Sequence, residues 1–247
     1  MPIFENKVVL ITGAAGGFGS LLARRLADQG ARLALSDIDE AAVQGLAGSL
    51  DCDVVAFGCD VAVEQQVADF VARAVERFGR IDVAVNNAGI SSPMKSLVET
   101  TEADIDRNFA VNAKGVFFGM KHQIPVMLEQ GGGSILNVSS MAGISGAPKL
   151  AAYVAAKHAV VGLTKTAAVE YARYNVRVNA VCPYFSPTPL VTEGIDPAIR
   201  DMVAAASPMK RLPAPEEVVA TMLNIIDPGN TYLTGQVIAI DGGVSAR

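Results

Sequence analysis

Charge is scarce in this sequence. Asp, Glu, Lys and Arg make up 18% of its 247 residues, against roughly 25% in an average soluble domain. The net charge is −5, and no run of basic residues interrupts it. Those two facts exclude nucleic acid and an anionic membrane as electrostatic partners. Histidine is nearly missing: His122 and His158 have no second ligand at metal spacing, so no metal site is expected. The cysteines, Cys52, Cys59 and Cys182, form no CxxC. Their odd number excludes a closed disulfide framework, and buried free thiols in a reducing, cytoplasmic setting are the expectation. No apolar run approaches the ~20 residues that span a bilayer. The opening MPIFENKVVLITG has an early acid and a short apolar run ending in glycine, which does not fit a signal peptide.

What the chain has in quantity is apolar surface. Hydrophobic residues reach 51%, enough for a large core or for further burial between subunits. Seven short runs read as strands: KVVLITG (7–13), ARLALSD (31–37), VVAFGCD (54–60), IDVAVNNAG (81–89), SILNVSS (134–140), VRVNAVCP (176–183) and QVIAIDGG (236–243). They are apolar on both faces, as strands covered on both sides should be. Helices are expected between them at 19–30, 63–79, about 102–130, 152–173 and 215–227. The second carries Val67, Phe70, Val71, Ala74, Val75 and Phe78 on one stripe. The last opens with Pro215 in its first turn. This alternation predicts an α/β fold: one Rossmann-type, doubly wound domain over 1–247, its seven-stranded parallel sheet covered by helices on both faces. The least regular piece, about 184–212, is too long for an ordinary connection and reads as a substrate-covering segment.

TGAAGGFG (12–19) joins the first strand to the first helix. Glycine lets this turn approach a pyrophosphate, while the helix N-terminus offers free N–H groups and a positive dipole end. The second strand ends at Asp37. A carboxylate there can accept hydrogen bonds from both adenosine ribose hydroxyls and repel a 2′-phosphate. The loop holds no Arg or Lys, and Arg32 lies roughly 16 Å away along the strand, at ~3.3 Å per residue. The pattern points to NAD rather than NADP; capping a turn is the plainer use of such an aspartate. In AAYVAAK (151–157), Tyr153 and Lys157 share one helix face a turn apart. The cation can lower the phenol's pKa and ready it for proton exchange. It can equally be a surface lysine beside a gap-filling tyrosine.

Taken together, these pieces resemble the short-chain dehydrogenase/reductase family. Thr12, Gly13, Gly17 and Gly19 stand at the T-G-x-x-x-G-x-G places. NNAG (86–89) matches the fourth-strand motif, CDV (59–61) the turn bordering the adenine, and VNAKG (111–115) the catalytic asparagine. NVSS (137–140) ends in a serine thirteen residues before Tyr153, Tyr153-x-x-x-Lys157 is the signature pair, and YLTGQVIAIDGG (232–243) resembles the last strand. The match covers nearly the whole chain and is weakest over 184–230. The resemblance implies catalytic Asn112, Ser140, Tyr153 and Lys157. It also implies cofactor contacts from Gly13, Gly17, Phe18, Gly19, Asp37, Ile38, Asp60, Val61, Asn87, Ala88, Gly89, Tyr153, Lys157, Pro183 and Thr188, and a homotetramer paired through the long helices. One departure stands out. After Pro183, where the family usually has glycine, the chain has Tyr184, which either forbids a positive φ or walls the site together with Phe185.

By that resemblance Tyr153 exchanges the alcohol proton with help from Lys157, and Ser140 hydrogen-bonds the substrate oxygen. Lys157 also holds the nicotinamide ribose, and Asn112 holds a water leading toward solvent. The residues expected around the substrate are Ser140, Met141, Ile144, Tyr153, Tyr184, Phe185, Leu190 and Val191. None is the Arg or Lys that a carboxylate or phosphate would want. The expectation is an NAD-dependent oxidoreductase interconverting an uncharged, hydrophobic, cyclic or aromatic secondary alcohol and its ketone. Three rivals stand beside it: an acyl-carrier or acyl-CoA ketoreductase of the same family, a non-catalytic NAD-binding regulator, and a sugar-nucleotide epimerase. Asp37, the complete Asn112–Ser140–Tyr153–Lys157 set and the chain length weigh against them in turn.

Overall fold

The computed structural model describes residues 2–188 and 197–246. Its strands are β1 Val8–Thr12, β2 Arg32–Asp37, β3 Val54–Gly58, β4 Val83–Asn86, β5 Gly133–Val138, β6 Val176–Pro183 and β7 Val237–Ile240. All pair in parallel, in the order β3-β2-β1-β4-β5-β6-β7. Strand order reverses between β1 and β4, so a crevice opens at their carboxyl ends, where neighbouring connections leave to opposite faces.

The helices are α1 Gly17–Ala27, α2 Glu40–Gly48, α3 Glu64–Phe78, α4 Glu102–Asn108, α5 Gly115–Glu129, α6 Ala151–Tyr171, α7 Pro197–Ala206 and α8 Pro215–Ile226. Strand alternation divides the core between the two faces. In β1, Val9 and Ile11 join Leu22, Leu26, Val43, Val218 and Met222 under α1, α2 and α8. Val8 and Leu10 turn the other way, onto Val67, Phe70, Ile124, Met127 and Val160 of α3, α5 and α6. Every β1 residue is therefore buried, which is why the run shows no polar alternation.

Three elements differ from the sequence pattern. The helix expected over 102–130 is interrupted by a π-helical segment, Phe109–Lys114. α2 was not foreseen: it buries only Val43 and Leu46, too thin a stripe to show in the sequence. Its start is fixed locally, by Asp39 Oδ1 accepting from the Ala42 N–H at 2.9 Å. α7 lies inside the stretch expected to be the least regular. The fourth strand also ends earlier than its apolar run, at Asn86, which leaves Asn87–Gly89 free to shape the crevice.

A buried polar chain ties the sheet to α5 and α6. Asn86 Nδ2 donates to Asn137 Oδ1 at 2.9 Å and to Gln123 Oε1 at 3.2 Å. Asn137 Nδ2 donates to Thr164 Oγ1 at 2.9 Å. Gly119 makes room for this chain, since a Cβ there would overlap Asn86 Oδ1 and lie 2.9 Å from Asn86 Cγ. At an open helix position Gly→Ala stabilises by roughly 1 kcal/mol. Here the sign should reverse, and Gly119→Ala should cost about 2 kcal/mol through overpacking and a broken buried hydrogen bond. Denaturant unfolding checks this, and a stabilised variant would contradict the packing.

Among the described residues no helix is long and apolar enough to cross a membrane, and no group of three His, Cys, Asp or Glu could hold a metal ion. The three cysteines are free. His122 Nε2 lies 3.3 Å from Glu64 Oε1, and His158 Nδ1 lies 2.9 Å from the Val154 carbonyl.

Candidate active site

The crevice is built by backbone first. Gly13 turns at φ +63, and a Cβ on it would lie 2.7 Å from Ala88 Cα. A Cβ on Gly19 would overlap the Gly13 carbonyl. Glycine is required at both places, one for the left-handed turn and one for close approach. Thr12 Oγ1 accepts from the N–H groups of Asn87 and Ala88 at 3.1 and 3.2 Å. Asn87 Nδ2 donates back to the carbonyls of Thr12 and Gly13 at 3.0 and 2.9 Å. β1 and the NNAG turn are thus locked together at the switch point. Gly17 opens α1 behind Gly16, and no side chain caps that first turn, so its N–H groups remain available to an anion. Phe18, in the same turn, packs against the core beneath.

Asp37 closes the adenosine end. Its Oδ2 accepts from the Ala15 N–H at 2.9 Å, and its Oδ1 from the Asp39 N–H at 3.2 Å. The plainer structural role is therefore real, and the carboxylate still stands beside the glycine loop. Ile38 follows it with 75% of its surface exposed. Asp60 Oδ1 accepts from the Ala62 N–H at 2.9 Å, and Val61 packs where a Cβ on Gly115 would otherwise go. Arg32 is at the far end of β2, its guanidinium 5.4 Å from the Phe78 ring centroid.

The four candidate catalytic side chains converge. Ser140 follows β5 and starts a 3₁₀ turn, Met141–Gly143, its Oγ accepting from the Ala142 N–H at 3.1 Å. It lies near enough to the Tyr153 phenol to favour its ionised form. Lys157 is buried, its Nζ 5.7 Å from the Tyr153 ring centroid and donating to the Val138 carbonyl at 2.9 Å. A Cβ on Gly89 would lie 3.4 Å from that Nζ and 2.9 Å from Asn112 Oδ1. The ammonium and the asparagine therefore meet at the crevice floor. Asn112 is fully buried within the π-helical segment. It clamps Ile90 by both backbone groups, accepting from its N–H at 2.9 Å and donating to its C=O at 3.0 Å. π-segments of this kind recur at functional sites. The resemblance singled out Asn112 and missed that its partner is the Ile90 backbone.

The electrostatics correct one expectation. Lys157 does not pull the phenol's pKa down here. The surrounding protein desolvates Tyr153 and pushes its pKa up, against a smaller lowering by Ser140. The ammonium is turned toward Val138 rather than the phenolic oxygen, and burial lowers its own pKa from 10.5 to about 8. Two groups were overlooked behind the pair. Ser139 Oγ donates to the Lys157 carbonyl at 2.9 Å, and the buried Cys182 thiol lies near Ser139 and feels the Lys157 charge. The doubled serine of NVSS was the available signal for Ser139; nothing in the sequence pointed to Cys182.

At the substrate end Met141 is buried and Ile144 exposed. Pro183 closes β6, and Tyr184 and Phe185 stand edge to face with centroids 5.3 Å apart. Tyr184 is not among the residues with positive φ, so its backbone sits in a region open to any residue. Thr188 is buried, its N–H donating to the Ser186 carbonyl at 2.7 Å. Leu190 and Val191 lie outside the described residues.

With this geometry in place, the chain can be set beside known proteins. A family model described as enoyl-(acyl carrier protein) reductase matches residues 13–245. The chain belongs to the short-chain dehydrogenase/reductase family. Among members of that family, levodione reductase of Leifsonia aquatica is 37% identical over 98% of this chain and 96% of its own. The 3-oxoacyl-(acyl-carrier-protein) reductase of Thermotoga maritima is 41% identical over 97% and 98%. The cyclohexanol dehydrogenase of Acinetobacter sp. (strain SE19) is 37% identical over 99% and 97%. The crystal structure of levodione reductase superposes with a TM-score of 0.95, covering 98% of this chain and 99% of its own at 37% identity. Two further solved structures each reach 0.91. One is the 3-ketoacyl-(acyl-carrier-protein) reductase of Brucella melitensis complexed with NADH, 35% identical over 98% and 99%. The other is ElxO with NADP bound, 34% identical over 98% and 100%.

Proposed function

We propose that this chain is a single catalytic domain that interconverts an uncharged, hydrophobic, cyclic secondary alcohol and its ketone, using NAD(H). The observation that carries the reading is the meeting of Ser140, Tyr153, Lys157 and Asn112 at the switch-point crevice. A dinucleotide fits the residues present: the pyrophosphate at the uncapped first turn of α1, the adenosine ribose at Asp37, the adenine between exposed Ile38 and the Asp60–Val61 turn, and the nicotinamide ribose at Lys157. When bound, the nicotinamide supplies the hydride acceptor for oxidation and the donor for reduction. The protein does the rest. Ser140 Oγ orients the substrate oxygen and stabilises charge on it. Tyr153 gives up its own phenolic proton toward Lys157, whose amine is neutral above about 8, as it takes the hydroxyl proton. Asn112 keeps the Ile90 backbone in place beside them.

The preference for NAD over NADP rests on Asp37 and on Arg32 being turned away. Asp37→Asn keeps an acceptor for the Ala15 N–H and removes the charge. We expect it to narrow the NADH-over-NADPH ratio of kcat/KM roughly 10- to 100-fold, since close like charges cost several kcal/mol. An unchanged ratio would place selectivity elsewhere.

The substrate class is supported by the uncharged residues expected beside it, Met141, Ile144, Tyr184 and Phe185, and by a relative whose name specifies a cyclic substrate, cyclohexanol dehydrogenase. NADH oxidation on a panel of cyclic ketones tests it; turnover confined to charged ketones would overturn it. A second reading, 3-oxoacyl thioester reduction, is favoured by the Thermotoga relative, and acetoacetyl-CoA belongs in the same panel. A homotetramer is proposed through α5 and α6, which expose Phe117 and Val169; light scattering reads the mass directly.

A further inference from the structure

Position 184, where the resemblance implied a glycine, holds a tyrosine with a definite set of contacts. Its N–H donates to the Ile240 carbonyl at 2.9 Å, which carries the β6–β7 ladder one step past Pro183. Alternation then places the side chain on the same face as Cys182, whose thiol meets Ser139 and the Lys157 charge. The step from 182 to 184 moves about 6.6 Å further along the strand direction, toward the carboxyl end of the sheet. There the phenol hydroxyl donates to the Val203 carbonyl of α7 at 3.1 Å.

That carbonyl sits in the last turn of α7. It also accepts from Ser207 N–H at 3.2 Å, and Lys210 Nζ serves Ala205 nearby at 2.9 Å. Asp201, Met202, Ala205 and Ala206 are exposed, and a helix with few buried contacts opens easily. The Phe185 ring meets Tyr184 at 86°, so the phenol is braced from the side as well. A glycine at 184 would supply neither the ring nor the tether.

We propose that Tyr184 is a specificity-determining residue: its hydroxyl ties α7 to the end of β6 and so fixes an aromatic wall on which a flat ring substrate packs. This rests on the oxidoreductase reading above. Two variants separate the parts. Tyr184→Phe keeps the ring and removes the tether; Tyr184→Gly removes both. Amide exchange across α7, followed by mass spectrometry on the cofactor-free chain, reads the tether without any turnover. Initial rates with NADH on cyclohexanone and on open-chain 2-butanone read selectivity. Tyr184→Phe should speed exchange in α7 about 3- to 10-fold, the worth of one neutral hydrogen bond. It should raise KM for cyclohexanone by a similar factor and leave KM for NADH unchanged. Tyr184→Gly should add a loss of preference for the ring over the open chain. Unchanged exchange in Tyr184→Phe would overturn the tether. An unchanged ring-to-chain ratio of kcat/KM in both variants would overturn the specificity role. If the wild-type chain reduces neither ketone, nor any other cyclic ketone, the functional reading fails and the specificity role with it; exchange still decides the tether.

Discussion

Tyr153→Phe should retain NADH affinity and lose about 10²- to 10⁴-fold in turnover, the usual worth of a positioned proton-transfer group. The change deletes one oxygen. The ring that faces Lys157 is kept, so van der Waals contacts at the crevice survive. What goes is the hydroxyl that Ser140 acts on and that can exchange a proton with a substrate oxygen. The fall should appear in kcat more than in KM, because the phenol acts in the transition state rather than in holding the ketone. Fluorescence titration with NADH and initial-rate kinetics on one ketone measure the two quantities separately. A variant within tenfold of wild-type turnover would mean that the proton comes from another group.

Lys157→Met should separate stability from chemistry. Burial lowers the ammonium's pKa from 10.5 to about 8. Between those values the unfolded chain binds a proton that the native chain does not, so this group's contribution to stability rises with pH across the window. Below about 8 the native state carries the full cost of the buried cation, on the order of 3 kcal/mol. Methionine fills similar volume without charge. It also abandons the Val138 carbonyl, which returns roughly 1 kcal/mol of that gain. The cofactor-free variant should therefore melt higher than wild type near pH 7, with the difference shrinking above about pH 10. Tyr153, Cys59 and Cys182, all pushed up, act in the opposite direction at alkaline pH, so each comparison is made against wild type at the same pH. The same variant should lose 100-fold or more in turnover, about what a proton-transfer group contributes, and bind NADH more weakly. A variant less stable at neutral pH than at pH 10, relative to wild type, would contradict the assigned burial of the charge.

Much of this was legible in the chain. Strands buried on both faces leave continuous apolar runs, and Val8–Thr12 and Val176–Pro183 could hardly be read otherwise. Local motifs carried the site, because each is a contiguous turn whose glycines or spacing has one geometric use. What escaped depended on contacts between distant segments. The direction of the Tyr153 pKa follows from where Lys157 points, and that is set by the Val138 carbonyl nineteen residues away. Cys182 reaches Ser139 only because β6 lies beside β5. The Tyr184 hydroxyl finds Val203 across nineteen residues. α2 went unseen because a nine-residue helix with two buried side chains leaves little periodic trace.

Tyr153 and Lys157 share one proton-accepting role, and titrations of such neighbours belong to the pair rather than to either member. The first proton to leave sits on Lys157, at about 8, and its loss gives the pair room to accept the alcohol's proton. The most direct test is the pH dependence of kcat/KM for alcohol oxidation. The wild-type rate should rise with pH and level off above an apparent pKa of about 8. A profile flat from about pH 6 to about pH 9.5, or one whose inflection persists unchanged in the residual activity of Lys157→Met, would contradict the pair as the proton acceptor.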